Sequence, residues 1–198
     1  MGKRLRLCSK KGTEDRRQDR CPCSLLLEGR GVLFRRTAYR GLECLEMRSR
    51  MNISDMLSAD RIVDLKATKK NEVLKEMVDV IATAPEITDK QAFLKAILER
   101  EKIMSTGIGI GVAIPHAKIP SVKDFVMAIG RARQGIDFDA LDDKPVYLVV
   151  MIGASDQQKD EFLKVLARVS LLLKNRGLRK WLMEAEGPQE IMALLAEK

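Results

Sequence analysis

The sequence predicts an α/β domain in which a mixed central sheet carries helices packed on both faces. Three observations predict it. Val146 to Ile152 is an unbroken apolar run, as expected for a strand buried on both sides. Apolar residues recur at helical spacing before the middle of the chain and again after it. Between those stretches lie short segments of Val, Ile, Ala and Gly. Helices flanking a block of strands describe a sheet covered by helices.

The elements follow in order. Ile62-Val-Asp-Leu65 reads as a short strand or docking segment. Lys69 to about Thr83 reads as a helix, with Val73, Met77, Val80 and Ile81 on one side. Thr88-Asp-Lys-Gln91 has the pattern of a capping box, with Thr88 accepting and Gln91 reaching back. It opens a helix to about Lys102 that buries Phe93, Leu94, Ile97 and Leu98. A glycine loop over Ser105–Gly111 leads into a strand at Val112–Pro115. Phe125–Gly130 is the next strand, and Gly135 to Asp143 a short strand and turn. Ser155-Asp-Gln-Gln158 repeats the capping pattern before a helix to about Lys174, striped by Phe162, Leu166, Val169 and Leu173. Arg179–Glu184 is a shorter helix, and Pro188 stands at the first position of the last one.

Charge divides the chain near Met51. Residues 1–50 carry 14 Lys and Arg against 6 Asp and Glu, together with all four cysteines. Residues 51–198 carry 22 of each sign, so the net charge of +8 belongs to the front segment. Three readings of residues 1–50 stay open. They are a misassigned start, with the native protein beginning at or near Met51 and Met47 as a second start; a disordered basic arm; or a metal or nucleic-acid module. The first two are favoured, because Cys21-Pro-Cys23 with distant Cys8 and Cys44 fits the pair spacing of structural zinc poorly. The neutral, Cys-free remainder is long enough for one domain with a real core. No nucleic-acid partner is expected of it. No apolar run approaches the roughly 18 residues of a membrane span, so membrane insertion is not expected and the cytoplasm is the default location.

His116 is the only histidine. It follows Gly107-Ile-Gly-Ile-Gly-Val-Ala-Ile-Pro115, placing an imidazole at the end of a stiff strand beside a glycine-rich loop. Imidazole is largely neutral and nucleophilic at cell pH. Loop N–H groups can hold an anion. Together they point to a phosphoryl group carried on the ring.

These residues resemble a known family. The block from Leu98-Glu-Arg-Glu101 through Ser105-Thr-Gly-Ile-Gly109 to Ala113-Ile-Pro-His116 is similar to the IIA domain of the mannitol/fructose class of the bacterial phosphotransferase system. With Ile136-Asp-Phe-Asp-Ala-Leu-Asp-Asp-Lys-Pro-Val146, it looks most like the nitrogen-regulatory, PtsN-like branch. The resemblance runs from about Ile53 to the end; residues 1–50 have no counterpart. It implies a phosphohistidine phosphotransferase component, with His116 accepting phosphate from the carrier HPr or an HPr-like relative. It further implies that Arg100 lies near the phosphohistidine. Transporter members pass the group to a cysteine of a IIB domain, whereas nitrogen-branch members control partner proteins by phosphorylation state. Transporter members also carry a second histidine beside the first. By spacing that position is Phe162, which neither donates to phosphate nor carries charge, and the regulatory reading gains over sugar transport. A binding module that has lost phosphotransfer is the third reading.

Phosphoryl transfer asks a protein mainly for positioning and charge compensation. His116 is the expected nucleophile, its second ring nitrogen tied to an acceptor. Arg100 suits the phosphate oxygens, though it can instead pair with Glu99 or Glu101. Ser105, Thr106 and the N–H groups at Gly107, Gly109 and Gly111 are candidate phosphate donors. No metal or cofactor is expected. Asp137, Asp139, Asp142 and Asp143 read as a solvated turn, with a cation or partner site as the alternative. Arg131 and Arg133 alternate at a strand end and are expected on a partner-facing surface.

Overall fold

The computed structural model describes residues 52–196. The three readings of residues 1–50, Cys8, Cys21, Cys23 and Cys44 included, and the proposed start at Met51 lie outside the described residues. Six strands form one mixed sheet: β1 (Ile62–Asp64), β2 (Gly107–Gly109), β3 (Val112–Ala113), β4 (His116–Lys118), β5 (Val126–Ile136) and β6 (Val146–Ala154). Five α-helices accompany it: α1 (Lys70–Ile81), α2 (Lys90–Ile103), α3 (Lys159–Lys174), α4 (Arg176–Glu184) and α5 (Pro188–Ala196). The expected α/β class, with helices on both faces of a mixed sheet, is what the chain forms.

The strand order is β1-β5-β6-β3-β2, with β4 also on β6. β5 and β6 are antiparallel, while β1 on β5 and both β3 and β4 on β6 are parallel. Alternate residues of the long strands feed two cores. Met127, Ile129, Val150 and Ile152 face the core that includes α3, α4 and α5. Val126, Ala128, Val149 and Met151 face the core under α1 and α2. Gly130 permits the close approach of α1: a Cβ there would stand 2.5 Å from Met77 Sδ.

Several boundaries differ from expectation for identifiable reasons. Asp89, not Thr88, caps α2, its carboxylate accepting the Ala92 N–H at 2.9 Å. Thr88 donates its hydroxyl to the Ser121 carbonyl instead. At α3 a turn precedes the helix, and the Gln158 side chain reaches back to the Ser155 N–H at 3.2 Å. β5 runs on to Ile136 and absorbs the segment expected as a separate short strand. Arg131 is thereby in the core, not on a partner-facing surface. Its guanidinium is bonded to Asp64 at 2.7 Å and to the Ala185 carbonyl at 2.7 Å.

The expected strand Val112–Pro115 is broken. β3 and β4 occupy one lane beside β6, pairing with Leu148–Val149 and Ile152–Ala154 respectively, and Ile114-Pro115 interrupts the lane. Proline has no N–H to give a ladder, although the Pro115 carbonyl still accepts from Ile152 N–H at 3.0 Å. His116 therefore begins a second short strand and does not end the first.

Candidate functional site

The interruption at Ile114-Pro115 shapes the surroundings of His116. The Ile114 N–H is donated to the Thr106 carbonyl at 3.0 Å, and the Ile114 carbonyl turns to the imidazole, 2.8 Å from Nδ1. A carbonyl can only accept, so Nδ1 carries the proton in the neutral ring and Nε2 keeps the lone pair.

The ring is half-buried between α2 and α3. β4 lies against α2, and the Phe162 ring of α3 stands 5.8 Å from the imidazole, tilted by 60°. Burial lowers the imidazole pKa below 6.5. The Ile114 carbonyl opposes that, the Arg100 charge adds to it, and the Glu101 charge opposes it. The net result is a neutral ring at cell pH.

Arg100 sits in the last turn of α2. Its charge reaches His116, and its Nη1 donates to the Met104 carbonyl at 2.9 Å. The ion pairs considered for it are taken by others: Glu99 faces Lys95 at 3.9 Å and Glu101 faces Lys70 at 2.8 Å.

Among the other candidate phosphate donors, Ser105, Thr106 and Gly107 have internal partners. Ser105 donates its hydroxyl to the Phe138 carbonyl at 2.8 Å and accepts the Gly107 N–H at 3.2 Å. Thr106 gives both donors to Glu101, the hydroxyl at 2.6 Å and the N–H at 3.0 Å. Gly109 and Gly111 have φ of 80° and 76° and turn the hairpin between β2 and β3. The tip N–H, that of Ile110, is held by Asp142 at 2.9 Å. The Gly111 carbonyl accepts from Tyr147 and Leu148, four to five residues along β6 from the partner of His116. The glycines thus build the hairpin that brings β3 alongside β6, in the lane that β4 continues.

Two aspartates of the 137–143 turn are likewise engaged. Asp142 holds the hairpin, and Asp139 lies 3.0 Å from the Lys70 ammonium. Among the described residues, no group of three or more His, Cys, Asp or Glu is placed to hold a metal ion. No helix among them is long and apolar enough to cross a membrane.

Sequence reasoning missed three contributors: the carbonyl of Ile114, the buried Glu101, and Lys70. The Glu101 signal was present as an acid at helical spacing from Phe93 and Ile97. Lys70 left no local signal, being far from the motif in sequence. A surface cavity of about 280 Å³ lies beside Tyr147 and Arg176, and one of about 720 Å³ is lined by Lys70, Lys75, Glu101 and Asp137; His116 lines neither. The imidazole thus combines one free lone pair with the charge of Arg100 on one hand and the phenyl ring of Phe162 on the other.

Comparison with known proteins gives the family and the fold. The family model described as phosphoenolpyruvate-dependent sugar phosphotransferase system, EIIA 2, matches residues 56–198. The fructose-specific EIIABC component of Bacillus subtilis is 40% identical over 146 residues, covering 73% of this chain and 23% of that protein. A nitrogen regulatory protein of Bradyrhizobium diazoefficiens is 34% identical over 149 residues, covering 74% of this chain and 95% of the relative. The crystal structure of nitrogen regulatory protein IIA-Ntr from Neisseria meningitidis superposes with a TM-score of 0.68 at 30% identity. That match covers 72% of this chain and 98% of the other.

Proposed function

The chain belongs to the EIIA 2 family of the phosphoenolpyruvate-dependent sugar phosphotransferase system, and from that premise we propose a phosphocarrier of the nitrogen-regulatory kind. It accepts a phosphoryl group from an HPr-like carrier on Nε2 of His116 and controls partner proteins by its phosphorylation state. The observation that carries this reading is the 2.8 Å approach of Nδ1 to the Ile114 carbonyl, which leaves Nε2 as the nucleophilic nitrogen.

In the transfer, the Nε2 lone pair forms a bond to phosphorus as the bond from phosphorus to the carrier breaks, its electron pair returning to the carrier. The ring needs no prior deprotonation, since Nδ1 holds the proton throughout. Arg100 leaves the Met104 carbonyl and pairs with the phosphate oxygens, which its fork geometry fits. Ser105, Thr106 and Gly107 act by shaping the hairpin, their donors being held by protein acceptors before transfer, and Gly109 and Gly111 supply its turn. The product carries about two negative charges on its phosphate oxygens against one positive charge on the ring while Nδ1 keeps its proton, a change of charge at a half-dry surface that can make or break a partner interface.

A sugar-specific role, with transfer onward to a IIB cysteine, is the second reading, favoured by the 40% identity to a fructose-specific component. Phe162 beside His116 favours the regulatory one. The test is intact mass after incubation with phosphoenolpyruvate, enzyme I and HPr. One acid-labile phosphoryl group, missing in His116→Ala, is expected. No gain with cognate carriers overturns the proposal in favour of a binding module. Onward transfer to a IIB domain separates the two transfer readings.

A further inference from the structure

Glu101 is one of the few charged side chains buried among the described residues, with 8% of its surface exposed. Its carboxylate accepts the Thr106 N–H at 3.0 and 3.2 Å and the Thr106 hydroxyl at 2.6 Å, and pairs with the Lys70 ammonium at 2.8 Å. Lys70 reaches on to Asp139 at 3.0 Å and lies 5.0 Å from the centre of the Phe138 ring. Four segments meet at this carboxylate: the start of α1, the end of α2, the entry to β2 and the turn after β5.

Two features separate this cluster from ordinary packing. The segment it anchors has no apolar anchor of its own, since Ile103 and Met104 are 81% and 59% exposed. Polar contacts therefore set its path, with Arg100 on the Met104 carbonyl and Glu101 on Thr106. A hydrogen-bonded path also continues from it to the proposed acceptor. Thr106 is held by Glu101, the Thr106 carbonyl accepts the Ile114 N–H at 3.0 Å, and the Ile114 carbonyl accepts from Nδ1 of His116 at 2.8 Å. Burying a carboxylate is costly even when it is paired, and an apolar replacement is often as stable. A gain in positional definition is the remaining reason to have one here.

We infer that Glu101 is a positioning residue for phosphoryl transfer, fixing the imidazole of His116 through Thr106 and Ile114 and fixing Arg100 through the 104–106 segment. Glu101 touches no reacting atom; it acts by limiting where the imidazole and guanidinium stand. This rests on His116 as the acceptor.

The experiment compares the full chain with Glu101→Gln, Thr106→Val and Thr106→Ser in two measurements. The first is the rate of phosphoryl gain against the concentration of phosphorylated HPr. The second is the nitrogen spectrum of the imidazole, unambiguous because the chain has one histidine. Glu101→Gln and Thr106→Val are expected to lose between about tenfold and a hundredfold in maximal rate, the scale on which misplaced groups act, with the half-saturating carrier concentration unchanged. Their imidazole nitrogens are expected to shift from one fixed tautomer toward an exchanging mixture. Thr106→Ser, which retains the hydroxyl, is expected to restore both. Wild-type rate and tautomer in folded Glu101→Gln and Thr106→Val would overturn the inference. Should Glu101→Gln not fold, the Thr106 pair decides it. Failure of the wild type to gain phosphate sinks the acceptor reading instead, and the tautomer measurement still decides whether Glu101 orients the ring.

Discussion

The imidazole of His116 and the phenyl ring of Phe162 stand 5.8 Å apart, centroid to centroid, with their planes tilted by 60°. The phenyl ring excludes water from one side of the imidazole, and burial is the largest cause of its lowered pKa. Phe162→Ala is therefore expected to raise the His116 pKa toward 6.5, read from the single histidine signal in an NMR titration. The same variant is expected to lose about 3–5 kcal/mol of stability, as for truncation of other buried phenylalanines. An unchanged titration would show that water is excluded by other neighbours.

Activity should follow the neutral ring. Because the folded pKa of His116 lies below 6.5, phosphoryl acceptance is expected to be level above pH 6.5 and to fall only as the pH drops through that lowered value. Stability carries the same sign. The unfolded chain takes up the proton first, so the contribution of His116 is complete above 6.5 and is lost as pH falls through the folded pKa. Denaturation curves across about pH 5 to 8 should therefore show a shallower acid decline in His116→Ala than in the wild type. Equal declines would exclude His116 as the source.

Arg100 offers a test that separates charge from shape. Arg100→Lys keeps the positive charge and loses the planar fork, so the His116 titration should stay near wild type while the transfer rate falls by about 10²-fold, the usual effect of removing one transition-state donor. Arg100→Ala should lose the rate and also raise the imidazole pKa, since a like charge is removed. If Arg100→Ala leaves both unchanged, the guanidinium serves only the Met104 carbonyl.

Much of this was legible in the sequence because period and composition carry it. Val146–Ile152 reads as a buried strand because a short run apolar at nearly every position suits a strand whose alternate residues enter two cores, although Tyr147 within it is 42% exposed. Thr88 reads as the cap in place of Asp89 because its competitor, the Ser121 carbonyl, is 33 residues away. Arg131 read as a surface charge because its partners, Asp64 and two carbonyls of the α4 end, come from distant segments. The site divides in the same way. His116 and Arg100 stand out in their motifs, but the role of Thr106 depends on Glu101 being turned inward, which residue identity does not show.

Ile110 is a β-branched residue at φ 56°, between two glycines that also have positive φ. The residue is 43% exposed, so packing offsets only part of the backbone strain, about 1–2 kcal/mol for an L-residue in this region. Asn tolerates the left-handed conformation better, and the backbone N–H to Asp142 is retained. Ile110→Asn is expected to stabilise by about 1 kcal/mol, raising Tm by about 2–4 °C for a chain of this size. A lower midpoint in urea would mean that Ile110 packs productively at the hairpin tip.

Arg131 joins three elements through one guanidinium. From β5 it reaches Asp64 on β1 at 2.7 Å and the carbonyls of Leu182 and Ala185, at the end of α4, at 3.3 and 2.7 Å. Arg131→Ala would leave those carbonyls unpaired and Asp64 facing only the exposed Arg133, and is expected to cost about 3–5 kcal/mol. Asp64→Asn should cost less, about 1–2 kcal/mol, because the Asp64 side chain is nearly half exposed and the amide oxygen still accepts from Nε. The two variants also differ in pH dependence. Burial pushes the Asp64 pKa up, but the bonds and charges of Arg131 and Arg133 outweigh it and hold the value below 3.8. The stability from Asp64 is thus present above 3.8 and lost as pH falls through the lower folded value. In Asp64→Asn that part of the acid limb should vanish. In Arg131→Ala it should be reduced, since Arg133 alone remains to favour the carboxylate. Identical acid limbs in wild type and Asp64→Asn would show that Arg131 stabilises the fold through the α4 carbonyls alone.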